Sequence, residues 1–413
     1  MTSLKVEETM ADVRRSKLEG TAYGRPRQHP NELLAHVGPG TPCGEYMRRF
    51  WQPVLPSSDF TSRPKQVRIL GEDLIAFRDG EGRAGLLYPR CMHRGTTLLY
   101  GHVEPDGIRC CYHGWKFAVD GTCIDQPCEP EGGLNKAAAR QPWYPVQERY
   151  GMVWAYMGPP DKMPLLNRYD CMEPLEEGEV YRASVARIHG DPSLPEEMPY
   201  SWLHMNDNVM DPFHVQVLHT TFSGVQFVRE FGIMPTVDFA YVPDGVIYKA
   251  YRKLEDGREV DRISTWLVPH IMSVPSVVLA EGRSNGLGFS VPVDDTHSRI
   301  LFCGRMQPNA DRRAGTGLSK MKPWSEMTFE ERQDTPGDYE AQVGQGPISL
   351  HSEEHLATSD RGIAMQRRML ERDIKKVMEG GDPEGVIFDP AHEMVHVPSG
   401  NFYRKTQPAR QPA

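Results

Sequence analysis

Between residues 41 and 160 the apolar positions come in short runs, each closed by Gly, Asp or Pro. Residues 66–70, 72–78, 85–88, 144–146 and 152–156 carry this pattern, and the short regular spacing predicts strands joined by tight turns. Residues 45–51 read as one short helix. Pro39-Gly40-Thr41-Pro42 opens this unit and Gly158-Pro159-Pro160 closes it. The pattern therefore predicts an all-β domain over 41–160, preceded by a polar arm over 1–40 with one short helix.

The remainder, 161–413, predicts a second domain of mixed character. Residues 180–188 read as a strand. Residues 202–220 have helical spacing, broken at Pro212, where Asp211 as N-cap and Pro212 at the first helical position would restart the helix. Apolar runs at 245–251, 263–268, 276–279 and 299–302 predict a long β section across 236–306. Residues 308–337 are polar and rich in Gly and Pro, which reads as a long loop. The clearest helix is 359–379, with Ser359 as its cap and Gly380-Gly381 as its stop. Its apolar stripe is Ile363, Leu370, Ile374 and Val377, interrupted for one turn by Gln366 and Arg367. The fold class expected is α+β.

Composition narrows the partners. The chain has 413 residues, 39% hydrophobic and 25% charged, with a formal net charge of -9. That balance argues against nucleic acid or an anionic membrane surface as the main partner. Arg14-Arg15 is followed by polar residues and no targeting segment is expected. The most apolar region, 263–280, is broken by Pro269, His270 and Pro275, so no membrane span is expected either. The expected location is the cytoplasm, where the eight cysteines (Cys43, Cys91, Cys110, Cys111, Cys123, Cys128, Cys171 and Cys303) would serve as metal ligands or buried apolar groups.

Four of these positions carry chemistry together with histidines. Cys91-Met-His93 and Cys110-Cys-Tyr-His113 each present one thiolate and one imidazole from a short loop, with sixteen residues between His93 and Cys110. Two Cys on one iron and two His on the other is the ligand set of a Rieske [2Fe–2S] cluster. A structural zinc site is the alternative, although zinc loops usually pair Cys with Cys and His with His. Cys110 is preferred to Cys111 for its Cys-x-x-His spacing.

A second constellation lies at 208–219, reading Asn-Val-Met-Asp-Pro-Phe-His-Val-Gln-Val-Leu-His. His214 and His219 plus one carboxylate would form the facial triad of a non-haem Fe(II) site. On a regular helix a five-residue step is about 500° of rotation, so the two rings would diverge by roughly 140°. Both can bind one metal only if the helix is irregular or ends between them, as a π-bulge would allow. Two ordinary helix histidines are the alternative. Asp211 lies near the same face as His214.

The pair Cys91-x-His93-Arg94-Gly95 and Cys110-x-x-His113-Gly114-Trp115-Lys116-Phe117 resembles the Rieske domain of ring-hydroxylating oxygenases. Across both domains the chain is similar to the oxygenase components of phthalate dioxygenase and of aromatic O-demethylases. The resemblance implies an N-terminal Rieske domain and a C-terminal helix-grip domain, an antiparallel sheet holding helices. It implies a [2Fe–2S] cluster on Cys91, His93, Cys110 and His113, and Fe(II) on His214, His219 and Asp338. Residues 336–348 match the stretch in which an Asp precedes Gly-Pro-Ile, with Gly337 where the family often has Gln; Asp334 and Glu340 stand behind Asp338. Asp211 would accept a hydrogen bond from the cluster histidine His113 of a neighbouring subunit, and Asn208 would lie near the iron. A reductase or ferredoxin would deliver electrons from NAD(P)H, within a homotrimer or a trimer of trimers. The substrate would be an aromatic, carboxylated or methoxylated, undergoing hydroxylation, O-demethylation or cis-dihydroxylation. Lys249, Arg252 and Arg262 lie on strand-like segments and read as solvated strand charges, with one of them pairing a substrate carboxylate as the alternative. His204 and His355 read as structural. An electron-transfer protein without oxygenase activity and a zinc-stabilised binding module are the readings from other classes.

Overall fold

The computed structural model describes residue 22 and residues 24–134, 136–310 and 314–404. Most of the expected N-terminal arm lies outside them. The arm's described part carries one turn of helix, Glu32–Ala35, capped by Asn31.

The first half is all-β. Trp51–Pro56, Met152–Tyr156 and Val146–Arg149 form one sheet, and Lys65–Ile69, Glu72–Arg78 and Ala84–Leu87 form a second. A third sheet, absent from the sequence reading, joins His102–Glu104, Gly107–Arg109, Lys116–Phe117 and Cys123–Asp125. These strands are two or three residues long, too short for a period-2 pattern to register. The helix expected over 45–51 is instead Pro42–Met47, because Thr41 caps Gly44 N–H at 3.2 Å and Pro42 takes the first helical position. The chain is already a strand at Trp51.

The second half is built on an antiparallel sheet ordered Val180–Ala186, Ser298–Met306, Gly286–Pro292, Ile271–Ser273, Glu259–Leu267, Gly245–Lys253 and Thr236–Val242. Residues 276–279 are not a strand. The Pro275 and Ser276 carbonyls accept from the Arg262 guanidinium at 2.9 Å, so side chains satisfy this backbone in place of a ladder. The described residues of 308–337 are more ordered than a loop. They include the helix Phe329–Asp334, whose Thr328 and Glu331 form a capping box.

Helix Arg361–Met378 packs on Gly245–Lys253 and Thr236–Val242. Asp360, not Ser359, occupies its cap position, because a 3-10 turn over Thr358–Asp360 precedes it. The polar break in its stripe is an anchor. Gln366 is fully buried, and Arg367 pairs with Asp207 at 2.6 Å and with Glu354. Burial opposes the Arg367 charge, but these carboxylates outweigh it and raise its pKa. Asp207 belongs to helix Trp202–Val209, which is also held to the sheet by Trp266 Nε1–H donating to Asn206 at 2.7 Å.

Two hydrophobic cores result. The larger runs from Trp51, Val54 and Trp154 of the first half into Trp266, Phe289 and Leu370 of the second. Gln52 and His270 meet across it at 2.7 Å. The smaller, around Ile75, Phe77, Leu98, Ile108 and Phe117, contains Cys91 and Cys110. Among the described residues no helix is long and apolar enough to cross a membrane.

Candidate metal centres

The first centre sits at the tips of two turns with matching geometry. In residues 91–95 and 110–114 the glycine N–H donates to the cysteine carbonyl, at 2.8 and 3.1 Å. The cysteine N–H groups donate to Thr96 and Trp115, each at 2.8 Å. Both glycines are left-handed, φ +78° at Gly95 and +73° at Gly114. A Cβ on Gly114 would fall 2.7 Å from Pro127, so glycine is required there twice over. Arg109 braces the second turn from below, donating to the Gly114 carbonyl at 2.7 Å and to Asp125 at 2.8 Å.

Cys91 and Cys110 are buried side by side, while the His93 and His113 rings lie nearer the surface with centroids 4.6 Å apart. Trp115 stacks on His93 at 4.5 Å. Burial, with the neighbouring Cys110, pushes the Cys91 thiol up to about 12. Two thiolates in so apolar a pocket need a cationic group to offset their charge, which iron supplies. Burial and the nearby His113 hold His93 below its ordinary pKa, neutral as a ligand must be. The donor set therefore fits a Rieske cluster. Cys111 and Cys128 are exposed, and the other four cysteines are buried.

The second centre forms where the helix beginning at Trp202 breaks. Helix Trp202–Val209 ends at Met210, and Asp211 then accepts from Phe213 N–H at 2.9 Å and His214 N–H at 3.3 Å. The helix restarts at His214, two residues beyond the expected Pro212, and Val217–Phe222 is a π-helix. The wider turn closes the angle between His214 and His219, whose ring centroids are 5.2 Å apart. His219 Nδ1 faces Gln226 Oε1 at 2.7 Å, which orients the ring and turns Nε2 toward Asp338.

Asp338 opens helix Asp338–Val343 and meets these imidazoles. Its Oδ1 is 3.3 Å from His219 Nε2 and 3.7 Å from His214 Nε2. Asn208 Nδ2 donates to the same oxygen at 3.0 Å. Of the other carboxylates weighed, Asp334 is exposed, and Glu340 is engaged by Trp324 Nε1 and Gly337 N–H at 2.6 and 2.8 Å. Burial opposes the Asp338 charge, but His219 and His189 hold its pKa well below the usual carboxylate range. Two imidazoles and one ionised carboxylate fit the donor set of a facial Fe(II) site. His189, which the sequence reading did not single out, also reaches Asp338, at 2.9 Å on Oδ2. Neither His189 nor Gln226 carries a spacing signal relative to His214 and His219.

This centre lies between two cavities. One, of about 480 Å³, is lined mostly by apolar residues, with His189 and Asp338 at its wall. Arg187 is the only Lys or Arg among its described lining residues. Its Nη2 donates to Glu196 at 2.8 Å, and its Nε is buried without a partner. The other, a groove of about 500 Å³, is lined by Asp211, His214, Glu353 and His355 among others. Lys249, Arg252 and Arg262 line neither cavity. Lys249 faces Asp261, and the two arginines are spent on backbone carbonyls and on the face of Phe231. His204 is buried between Ser201 and Ser349.

Residues 50–145 match the Rieske [2Fe–2S] domain family. Over 386 residues the chain is 55% identical to the phenoxybenzoate dioxygenase subunit alpha of Ectopseudomonas oleovorans, covering 93% of this chain and 94% of that one. It is 38% identical to the tert-butanol monooxygenase / tert-amyl alcohol desaturase oxygenase subunit of Aquincola tertiaricarbonis (85% and 79% covered). It is 33% identical to the 5,5'-dehydrodivanillate O-demethylase oxygenase subunit of a Sphingobium strain (87% and 83%). The solved structure of Pseudomonas putida CBB5 NdmA with caffeine shares the fold, with a TM-score of 0.60 at 18% identity over 83% of this chain and 95% of that one. The chain belongs to the Rieske non-haem iron ring-hydroxylating oxygenases, as an oxygenase component that uses a [2Fe–2S] cluster and Fe(II).

Proposed function

We propose that this chain oxygenates a carboxylated aromatic substrate, with Cys91, His93, Cys110 and His113 holding the cluster and His214, His219 and Asp338 holding the iron. The observation that carries the reading is the meeting of two imidazoles with one carboxylate, Asp338, that also lines an apolar cavity whose lining includes one arginine. When bound, the two groups supply a one-electron store and an O₂-activating metal. The residues around them do the rest. Gln226 orients the His219 ring, Asn208 donates to Asp338, and the apolar wall excludes water and places an aromatic ring against the site. Arg187, which lines that cavity, would receive the substrate carboxylate.

Ring dioxygenation of a diaryl ether acid is the first reaction to test, given 55% identity to a phenoxybenzoate dioxygenase subunit. O-demethylation of an aryl methyl ether is the second, given the dehydrodivanillate O-demethylase relative. Electrons would come from NAD(P)H through a reductase or ferredoxin. The unpaired cysteines are in keeping with a cytoplasmic location. The assembly would be a homotrimer, with the acidic groove beside Asp211 receiving the His113 edge of the next subunit's cluster domain. Turnover of the purified chain with a generic reductase, NADH and a panel of aromatic acids and aryl methyl ethers tests the reading. Diols or phenolic cleavage products support the first reaction and formaldehyde the second; NADH oxidation with no oxygenated product from any aromatic would overturn both.

A further inference from the structure

His189 stands apart from the residues that motif spacing finds. It follows strand Val180–Ala186 in a 3-10 turn, Ile188–Gly190, and its backbone is left-handed at φ +55°. A side chain is seldom held there without a reason in its surroundings. Its Nε2 lies 2.9 Å from Asp338 Oδ2, the oxygen other than the one facing His214 and His219. Its ring stands edge-on to His219 at 5.3 Å and to Phe227 at 5.7 Å. Space for the ring depends on Gly337. A Cβ there would fall 3.1 Å from His189 Cε1 and 3.5 Å from Nδ1. The glycine before Asp338 thus makes room for the imidazole that grips Asp338.

We propose that His189 is a positioning residue for the iron site: its Nε2–H holds Asp338 Oδ2 and leaves Oδ1, the oxygen facing His214 and His219, as the metal donor. The proposal rests on the reading that His214, His219 and Asp338 hold the iron. A carboxylate that offers one oxygen leaves more open positions than one that offers two. Hydrogen-bonded partners of this kind typically change metal affinity by about 10–100-fold when removed.

The test compares His189→Phe, which removes the donor, with His189→Gln, which keeps one, and with Gly337→Ala, which crowds an intact His189. Fe(II) affinity is measured by chelator competition on protein with its cluster in place, and the ferrous site is probed by EPR of its nitric oxide adduct. The expected result is a roughly 10–100-fold weaker affinity and an altered EPR signal in His189→Phe. Substantial recovery is expected in His189→Gln and a smaller loss in Gly337→Ala, with the cluster spectrum unchanged throughout. Unchanged affinity and EPR in His189→Phe would reduce His189 to packing and overturn the proposal. Iron loss as complete in both His189 variants as in His214→Ala would make His189 a ligand itself, which also overturns it. If His189→Phe does not fold, His189→Gln and Gly337→Ala decide: unaltered affinity in Gly337→Ala contradicts the proposal. Retention of iron by both His214→Ala and His219→Ala would instead mark failure of the underlying site reading.

Discussion

Asp338 joins what the local sequence leaves separate. His214 and His219 are five apart, but the carboxylate that meets them comes more than a hundred residues later, on another helix. His214→Ala is expected to abolish turnover and mononuclear iron while leaving the cluster absorbance intact; turnover that survives would place the site elsewhere. Arg187→Met is expected to raise KM for a carboxylated substrate by about 10–100-fold, the size of a lost charge-assisted bond, and to change KM little for its methyl ester. Steady-state kinetics on the acid and ester pair checks this. The proposed cluster ligands are legible because each loop carries both of its candidates within four residues. Asp338 required a resemblance, since spacing says nothing about a partner so distant. His189 and Gln226 become visible only through folding, because each meets its partner across elements, and Arg187 because only the fold shows the cavity it lines.

At the scale of elements, irregularity builds the proposed iron site. The five-residue step between the histidines demanded a departure from a regular helix, and the chain meets it with a cap at Asp211 and a π-turn at Val217–Phe222. The long strands and helix Arg361–Met378 were readable from periodicity. The small cluster-bearing sheet was not, since two or three residues show no period. The interruption of the long helix's stripe at Gln366 and Arg367 is its link to the helix that carries Asn208. Arg367→Met strands Asp207 in a largely buried position and is expected to destabilise the fold by about 3–5 kcal/mol. A comparable cost, about 2–5 kcal/mol, is expected for Leu370→Ala in the apolar stripe. Thermal melts of the two variants, with the cluster intact, measure both.

At the scale of the whole molecule, the two halves share one core while the cluster loops rest on a second, smaller one. The bond between Gln52 and His270 spans the shared core, and burial pushes the His270 pKa down to about 4. An unfolded histidine titrates near 6.5. As pH falls below about 6.5 the unfolded chain takes up a proton that the folded chain refuses, so stability is lost between about pH 6.5 and 4. The loss is on the order of 1 kcal/mol per pH unit for this group. The melting temperature should fall over that window, less steeply in His270→Asn, and an identical fall in the variant would remove His270 as the cause.

One chain is expected to hold both a two-iron cluster and a separate mononuclear iron. Iron and acid-labile sulfide per chain, measured after anaerobic reconstitution with Fe(II), test it directly. About three irons and two sulfides per chain are predicted. One zinc with no sulfide, or two irons and two sulfides in a chain that still oxygenates its substrate, would contradict it.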